Sequence, residues 1–174
     1  MVQNIAIIGL DRDVAYEVSK MVANQLEMHF LDTIDLFEFD NKPRTLSEML
    51  SQFGIRYFRQ KEKGTIKYVT GFTNSVINIE SGAAEFGGNL KELKTNCLVI
   101  YLRQDIRDFL QTMNKKEFKD EILKAFYYAS PNAIQRRDNH LLTDADIVID
   151  IYDQSVLKIA SEVLRKIKSF YGVN

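Results

Sequence analysis

Asn4-Ile5-Ala6-Ile7-Ile8-Gly9-Leu10-Asp11-Arg12-Asp13-Val14-Ala15-Tyr16 is the stretch on which the reading of the chain turns. Ile5 to Ile8 is a short continuous apolar run stopped by Gly9, the pattern of a strand buried on both faces of a parallel sheet. From Asp13 the period changes. Val14, Val18, Met21, Val22 and Leu26 recur at helical spacing, with Lys20, Asn24 and Gln25 on the other side. Asp13 is the expected N-cap of that helix, its carboxylate accepting from the orphan amides of the first turn.

Working outward, Met28 to Leu31, Val76 to Ile79, Cys97 to Leu102 and Ile147 to Ile151 read as four further strands. Helical segments separate them. Thr33 to Thr70 is helical but broken, punctuated by Pro43 and Gly54, with Leu46, Met49 and Leu50 on one buried face. A short helix carries Leu90 and Leu93, another starts at Ile106, and one from Glu117 is expected to bury Ile122, Ala125 and Phe126. The last helix packs Val156, Ile159, Val163 and Ile167. Strands alternating with helices imply right-handed crossovers and a three-layer α/β/α domain around a five-stranded parallel sheet. Its expected extent is the whole of residues 1–174 as one domain.

Composition narrows the possible partners. The net charge of −1 supplies no field for a polyanion, and Lys115-Lys116 and Arg136-Arg137 are too short to form a binding stripe, so no nucleic acid partner is expected. No run approaches the roughly 18 apolar residues of a membrane span, and the chain opens without a basic or apolar leader. The lone Cys97 lies in an apolar run, which excludes a disulfide framework and suggests a buried, inert thiol. A cytoplasmic location is the expectation. His29 and His140 lack partners at ligand spacing, so no metal site is expected. Tyr127-Tyr128 reads as core.

In such a sheet ligands bind outside the carboxyl ends of the strands, which directs attention to the loops beginning at Gly9, Asp32 and Glu80. Together these loops resemble those of the shikimate kinase family, which has a P-loop kinase fold. Asn4 to Gly9 looks like its opening strand, and Phe30-Leu31-Asp32-Thr33 is similar to its Phe-Ile-Asp-Thr-Asp segment. Phe58-Arg59-Gln60-Lys61-Glu62 matches its Phe-Arg-x-x-Glu, whose Arg holds the shikimate carboxylate. Val76 to Ala84 looks like the strand leading to its Gly-Gly-Gly-Ala loop, Asn89 matches an Asn shortly after, and Arg137 falls where a second shikimate-binding Arg is expected. The order and spacing extend over residues 3–168.

The departures fall mainly on the nucleotide side. A P-loop reads G-x-x-x-x-G-K-[ST], so that backbone amides and Lys hold phosphates and the hydroxyl holds magnesium. Only Gly9 remains. Val14 stands for the second glycine, Ala15 for Lys and Tyr16 for Ser/Thr, while Asp11 and Asp13 bring negative charge to a helix end that would otherwise attract an anion. The family's Arg-Pro-Leu-Leu lid motif is missing between Arg107 and Asp120, where Lys115 and Lys116 are candidates to reach a phosphate or simply a solvated turn. The triple glycine has become Glu80-Ser81-Gly82, which weakens binding of an acidic acceptor. The second Asp of Asp-x-Asp is Ile34, with Asp35 one position late.

Among the retained residues, Arg59 and Arg137 are the candidate pair for a small carboxylate or phosphate, with Gly82 and Asp32 beside them. Arg56, Arg59, Lys63 and Lys67 at helical spacing suggest a cationic stripe; the alternative for Arg59 is a structural contact with Glu62. Asp32 is a candidate magnesium ligand through water or a cap for the next helix. The resemblance with these losses implies a pseudoenzyme: a shikimate kinase-like scaffold with a dismantled ATP site, no expected cofactor, and a partly retained anion pocket acting in binding or regulation. A protein partner or self-association is the accompanying expectation. The alternative is a divergent ATP- and magnesium-dependent shikimate kinase, or another small-molecule kinase, in which Arg12 replaces the lost Lys.

Overall fold

The computed structural model describes residues 4–86 and 88–172. Its strands are β1 (Asn4–Gly9), β2 (His29–Asp32), β3 (Ser75–Glu80), β4 (Cys97–Arg103) and β5 (Ile147–Asp150). Its helices are α1 (Arg12–Leu26), α2 (Thr33–Asp40), α3 (Leu46–Thr70), α4 (Asn89–Lys94), α5 (Ile106–Lys115), α6 (Glu121–Tyr128), α7 (Pro131–Asp144) and α8 (Val156–Phe170), with a 3-10 turn at Ser81–Glu85. All strand pairings are parallel, in the order β2-β3-β1-β4-β5. β1 is therefore the central strand. Every one of its residues is buried, which is why its sequence does not alternate. Ile5 and Ile7 pack toward Val18, Val22 and Val163 of α1 and α8, while Ala6 and Ile8 face Ile66, Leu93 and Leu141 of α3, α4 and α7. The sheet is thus the middle of three layers.

Three local features differ from the sequence reading. β2 begins one residue late because Glu27 adopts the left-handed conformation as the α1 C-cap and the Met28 amide bonds back to Ala23. The helix expected from Glu117 is instead α6, capped by Asp120, followed by α7, capped by Ser130 with Pro131 in its first turn. Phe126 is buried, but Ile122 and Ala125 are exposed and do not belong to the core. Tyr127 packs on Phe126, at 4.9 Å between ring centroids; the Tyr128 side chain lies outside the described part of the chain. Cys97 is buried as expected, and desolvation pushes its thiol up to about 12. Among the described residues no helix is long and apolar enough to cross a membrane.

The break inside 33–70 decides where Phe58 and Arg59 point. Thr45 and Glu48 form a reciprocal capping box at the start of α3. Gly54 then interrupts the helix with φ 77 and ψ 171, a region essentially reserved for glycine. The bend lets Leu46, Met49 and Leu50 pack with Ile34 and Phe37, while Phe58 and Arg59 turn inward on the following segment. Gly54→Ala is expected to lose about 1–3 kcal/mol in chemical denaturation. Gly64→Ala, at a helical position with open space around it, is expected to gain about 0.5–1 kcal/mol. Equal effects at the two sites would contradict a conformational role for Gly54.

Candidate functional site

The turn after β1 is closed from within, by a different residue from the one expected. Asp11, not Asp13, is the N-cap of α1: its Oδ1 accepts from the amides of Asp13 at 3.0 Å and Val14 at 3.3 Å. The extended backbone at Asp11 aims its carboxylate back over the first turn, whereas Asp13 is already helical and points outward. There it pairs with Lys116 from the end of α5. Arg12 turns toward α2, with Nη2 2.9 Å from Asp32 Oδ1 and 3.7 Å from Asp35 Oδ1, and its guanidinium lies over the rings of Tyr16 and Tyr127. Ala15 is buried, and its Cβ closely approaches the position a Cβ on Gly9 would take. Tyr16 packs edge-on against Phe30 and hydrogen-bonds Asp35.

Asp32 has little coordination capacity left. Its Oδ1 caps α2 by accepting from the Ile34 and Asp35 amides and also receives Arg12, while Oδ2 accepts from Asn78 at 2.6 Å. Asp35 is raised from its ordinary pKa by burial and by Asp32, with Arg12 opposing. Beside the turn, a cleft of about 500 Å³ runs between α1, α5 and the segment after β5. It is lined by Asp11, Asp108 and Asp153 against Lys115. Among the described residues no cluster of His, Cys, Asp or Glu is arranged to hold a metal ion.

On the acceptor side, Arg59 and Arg137 do converge, and they converge on Glu80. Arg59 is buried rather than part of an exposed stripe, because the bend at Gly54 and the packing of Phe58 turn this face of α3 inward. Its Nη1 bonds both oxygens of Glu62, at 2.9 and 2.8 Å, and Glu80 Oε2 at 2.5 Å. Phe58, Phe86 and Phe126 surround the guanidinium. Arg137 donates from Nε to Glu85 Oε2 at 2.9 Å, and its Nη1 lies 3.8 Å from Glu80 Oε1 and 3.4 Å from Ser81 Oγ. Gly82 is required for close approach: a Cβ there would strike the Arg59 guanidinium and lie 2.8 Å from Glu80 Oε2. Asn89 anchors the same turn through Nδ2 to the Ala83 carbonyl. Over these groups opens a cleft of about 370 Å³, roofed by α3 and α6.

The family model for shikimate kinase matches residues 17–168, starting within α1. The chain belongs to the shikimate kinase family. A shikimate kinase from Caldanaerobacter subterraneus subsp. tengcongensis is 28% identical over 170 residues, covering 94% of this chain and 95% of that protein. Among solved structures, a shikimate kinase from Acinetobacter baumannii in complex with shikimate superposes with a TM-score of 0.78 at 21% identity, covering 97% of this chain and 94% of that one. The Aquifex aeolicus enzyme gives 0.79 at 18% identity, with 97% and 98% covered. At these identities the two structures bear on the fold alone, and both agree with the five-stranded parallel sheet and its flanking helices.

Within this shikimate kinase-family fold, the buried carboxylates are unequal. Burial alone would raise Glu80, but Arg59, Arg137 and the Gly82 amide outweigh it and hold its carboxyl below the ordinary value. Glu62, also buried, shares Arg59 with Glu80 and is pushed up to about 8, burial being the larger cause. Arg59 is correspondingly raised: burial opposes its charge, and Glu80 and Glu62 more than compensate.

The signs give a pH dependence. A raised carboxyl binds its proton more tightly in the folded state, so Glu62 contributes fully below its usual 4.5 and that contribution is lost as pH rises through about 8. Glu80, lowered, acts oppositely: its contribution is present above the usual carboxylate range and is lost as pH falls through its folded value. The melting temperature is therefore expected to decline from about pH 5 to about pH 8, and Glu62→Gln to flatten the decline. An identical slope in Glu62→Gln would exclude Glu62 as its source.

Proposed function

We propose that this family member does not transfer phosphoryl groups from ATP and serves instead as a binding or regulatory protein built on the shikimate kinase scaffold. The observation that carries this reading is the Asp11 carboxylate, which occupies the amides of Asp13 and Val14 at the helix end where an anion would dock. Three consecutive residue choices support it: Val14, Ala15 and Tyr16 supply neither a cation nor an unhindered hydroxyl for magnesium. Two cations beside the turn are engaged, Arg12 by Asp32 and Lys116 by Asp13, while Lys115 faces Asp11, Asp108 and Asp153 across the neighbouring cleft. Phosphoryl transfer depends on positioning and charge stabilisation, and a turn answered by its own carboxylates offers a triphosphate neither. No cofactor is proposed, and the acceptor-side cleft is the ligand site.

A second reading keeps the catalytic activity. The relatives found are named as shikimate kinases, and Arg12 Nε is buried with no hydrogen-bond partner among the described residues. Arg12 released from Asp32 would then act as the phosphate cation, with ATP and magnesium as co-substrates.

The two readings separate in a calorimetric titration with ATP and magnesium followed by a coupled ADP-release assay with shikimate, with the Caldanaerobacter relative as positive control. The expected result is no heat and no turnover. Saturable ATP binding, or turnover that Arg12→Ala abolishes, would overturn the proposal in favour of the second reading.

A further inference from the structure

The cleft above Arg59 and Arg137 combines two observations that point to one class of ligand. The first is charge. Two buried guanidiniums facing a cleft would by themselves select an anion. Here Glu62, Glu80 and Glu85 already occupy them, and the exposed Arg136 shares Glu85 through a 3.1 Å contact. Glu80 itself bridges Arg59 and Arg137, so both guanidiniums that face the cleft are already met by a carboxylate. An entering carboxylate would have to displace Glu80, which its own backbone holds in place, and would meet Glu85 beside Arg137 at close range.

The second observation is the wall. Away from the ion pairs, the cleft is lined by Leu50, Ile55, Phe86, Ile122 and Phe126. Three of these are unusually open for large apolar side chains: Ile55 is 48% exposed, Phe86 42% and Ile122 39%. They come from α3, the turn before α4, and α6, so tertiary structure alone gathers them around one opening. The volume of about 370 Å³ lies in the range of small-molecule pockets, which are mostly apolar with a few fixed polar groups at one end.

We infer that Glu80 is an internal occupant of the cleft's anion subsite, and that the cleft consequently binds an uncharged, largely apolar small molecule and rejects carboxylates. The ligand seats its apolar body between Phe86, Ile122 and Phe126. Its polar end accepts from, or donates to, the outer edge of the Arg137 and Glu85 pair. Glu80 acts only by holding the two arginines and has no contact with the ligand. The inference rests on the acceptor-side part of the proposed function and is independent of the donor turn.

The test uses three probes of one shape: benzamide (uncharged), benzoate (anionic) and benzamidine (cationic), titrated without nucleotide into the isotope-labelled full chain and followed by amide chemical shifts. In the wild-type protein benzamide is expected to shift the amides of Phe86 and Ile122, and benzoate to bind at least about tenfold more weakly. Ala125→Trp, which fills the mouth, should abolish the benzamide response. Glu80→Gly should reverse the order by freeing Arg59 and Arg137 for benzoate. Should that variant fail to fold, Glu80→Gln retains the shape without the charge, and benzoate affinity should rise in it relative to wild type.

Preference of the wild type for benzoate or benzamidine, binding of none of the three, or an unchanged preference in the folded Glu80 variant would overturn the inference. So would a dimer in light scattering that Ile122→Asp dissolves, since the apolar rim would then be covered by a second copy. Because no arm contains ATP, these outcomes are separate from failure of the pseudoenzyme reading, which is registered only by nucleotide binding or turnover.

Discussion

A guanidinium cannot shed its charge, and Arg59 places one almost wholly out of water at the base of a cleft. That desolvated cation dictates much of what surrounds it. It needs carboxylates within hydrogen-bond reach, which Glu62 supplies from the same helix and Glu80 from the end of β3. It needs glycine at position 82, because any side chain there would enter the space of the guanidinium. Aromatic faces suit its flanks, and Phe58, Phe86 and Phe126 provide them. Leaving such a charge unpaired costs about 3–5 kcal/mol, so helix α3, the strand end and the 3-10 turn are held to one another by a requirement rather than by a preference.

The donor turn follows the same logic at lower stakes. A helix N-terminus presents orphan amides that attract negative charge, and the sequence fills that demand with Asp11. Arg12 and Lys116, two cations beside the turn, are in turn met by Asp32 and Asp13. Both ends of the cleft system have thus been answered by the chain's own side chains. A phosphate-binding turn and an anion-binding pocket are sites because their charges wait for a ligand; here the waiting charges have intramolecular partners. That arrangement ties the ends of β1, β2 and β3 to the helices around them.

Much of this was legible along the chain. The uninterrupted apolar run Ile5 to Ile8 announced a parallel strand covered on both sides, because burial on both faces removes the need for alternation. The pairing of Arg59 with Glu62 was readable from a three-residue helical spacing. Two signals were present but misread. Asp120 caps α6 three residues after the expected start at Glu117, and Ser130-Pro131 opens a separate helix, α7. Asp11 and Asp13 are both good capping residues, and only the extended backbone at Asp11 distinguishes them. The exposure of Ile122 and Ala125 was not readable either, since helical periodicity identifies an apolar face without saying whether anything covers it.

By itself the sequence determined the succession of the five strands, the three-layer class, the likeness to shikimate kinases and the departure of Val14, Ala15 and Tyr16 from the P-loop pattern. These depend on neighbours along the chain: period, caps, glycines and motif spacing. Tertiary structure alone decided that Glu80 reaches Arg59 across 21 residues and comes within 3.8 Å of Arg137, 57 positions further along. It likewise decided that Arg12 meets Asp32, and that Ile55, Phe86 and Ile122 ring one opening. The physical reason is that a side chain's type is local, but the partner that neutralises or covers it is chosen by how the sheet and the bend at Gly54 bring distant segments together.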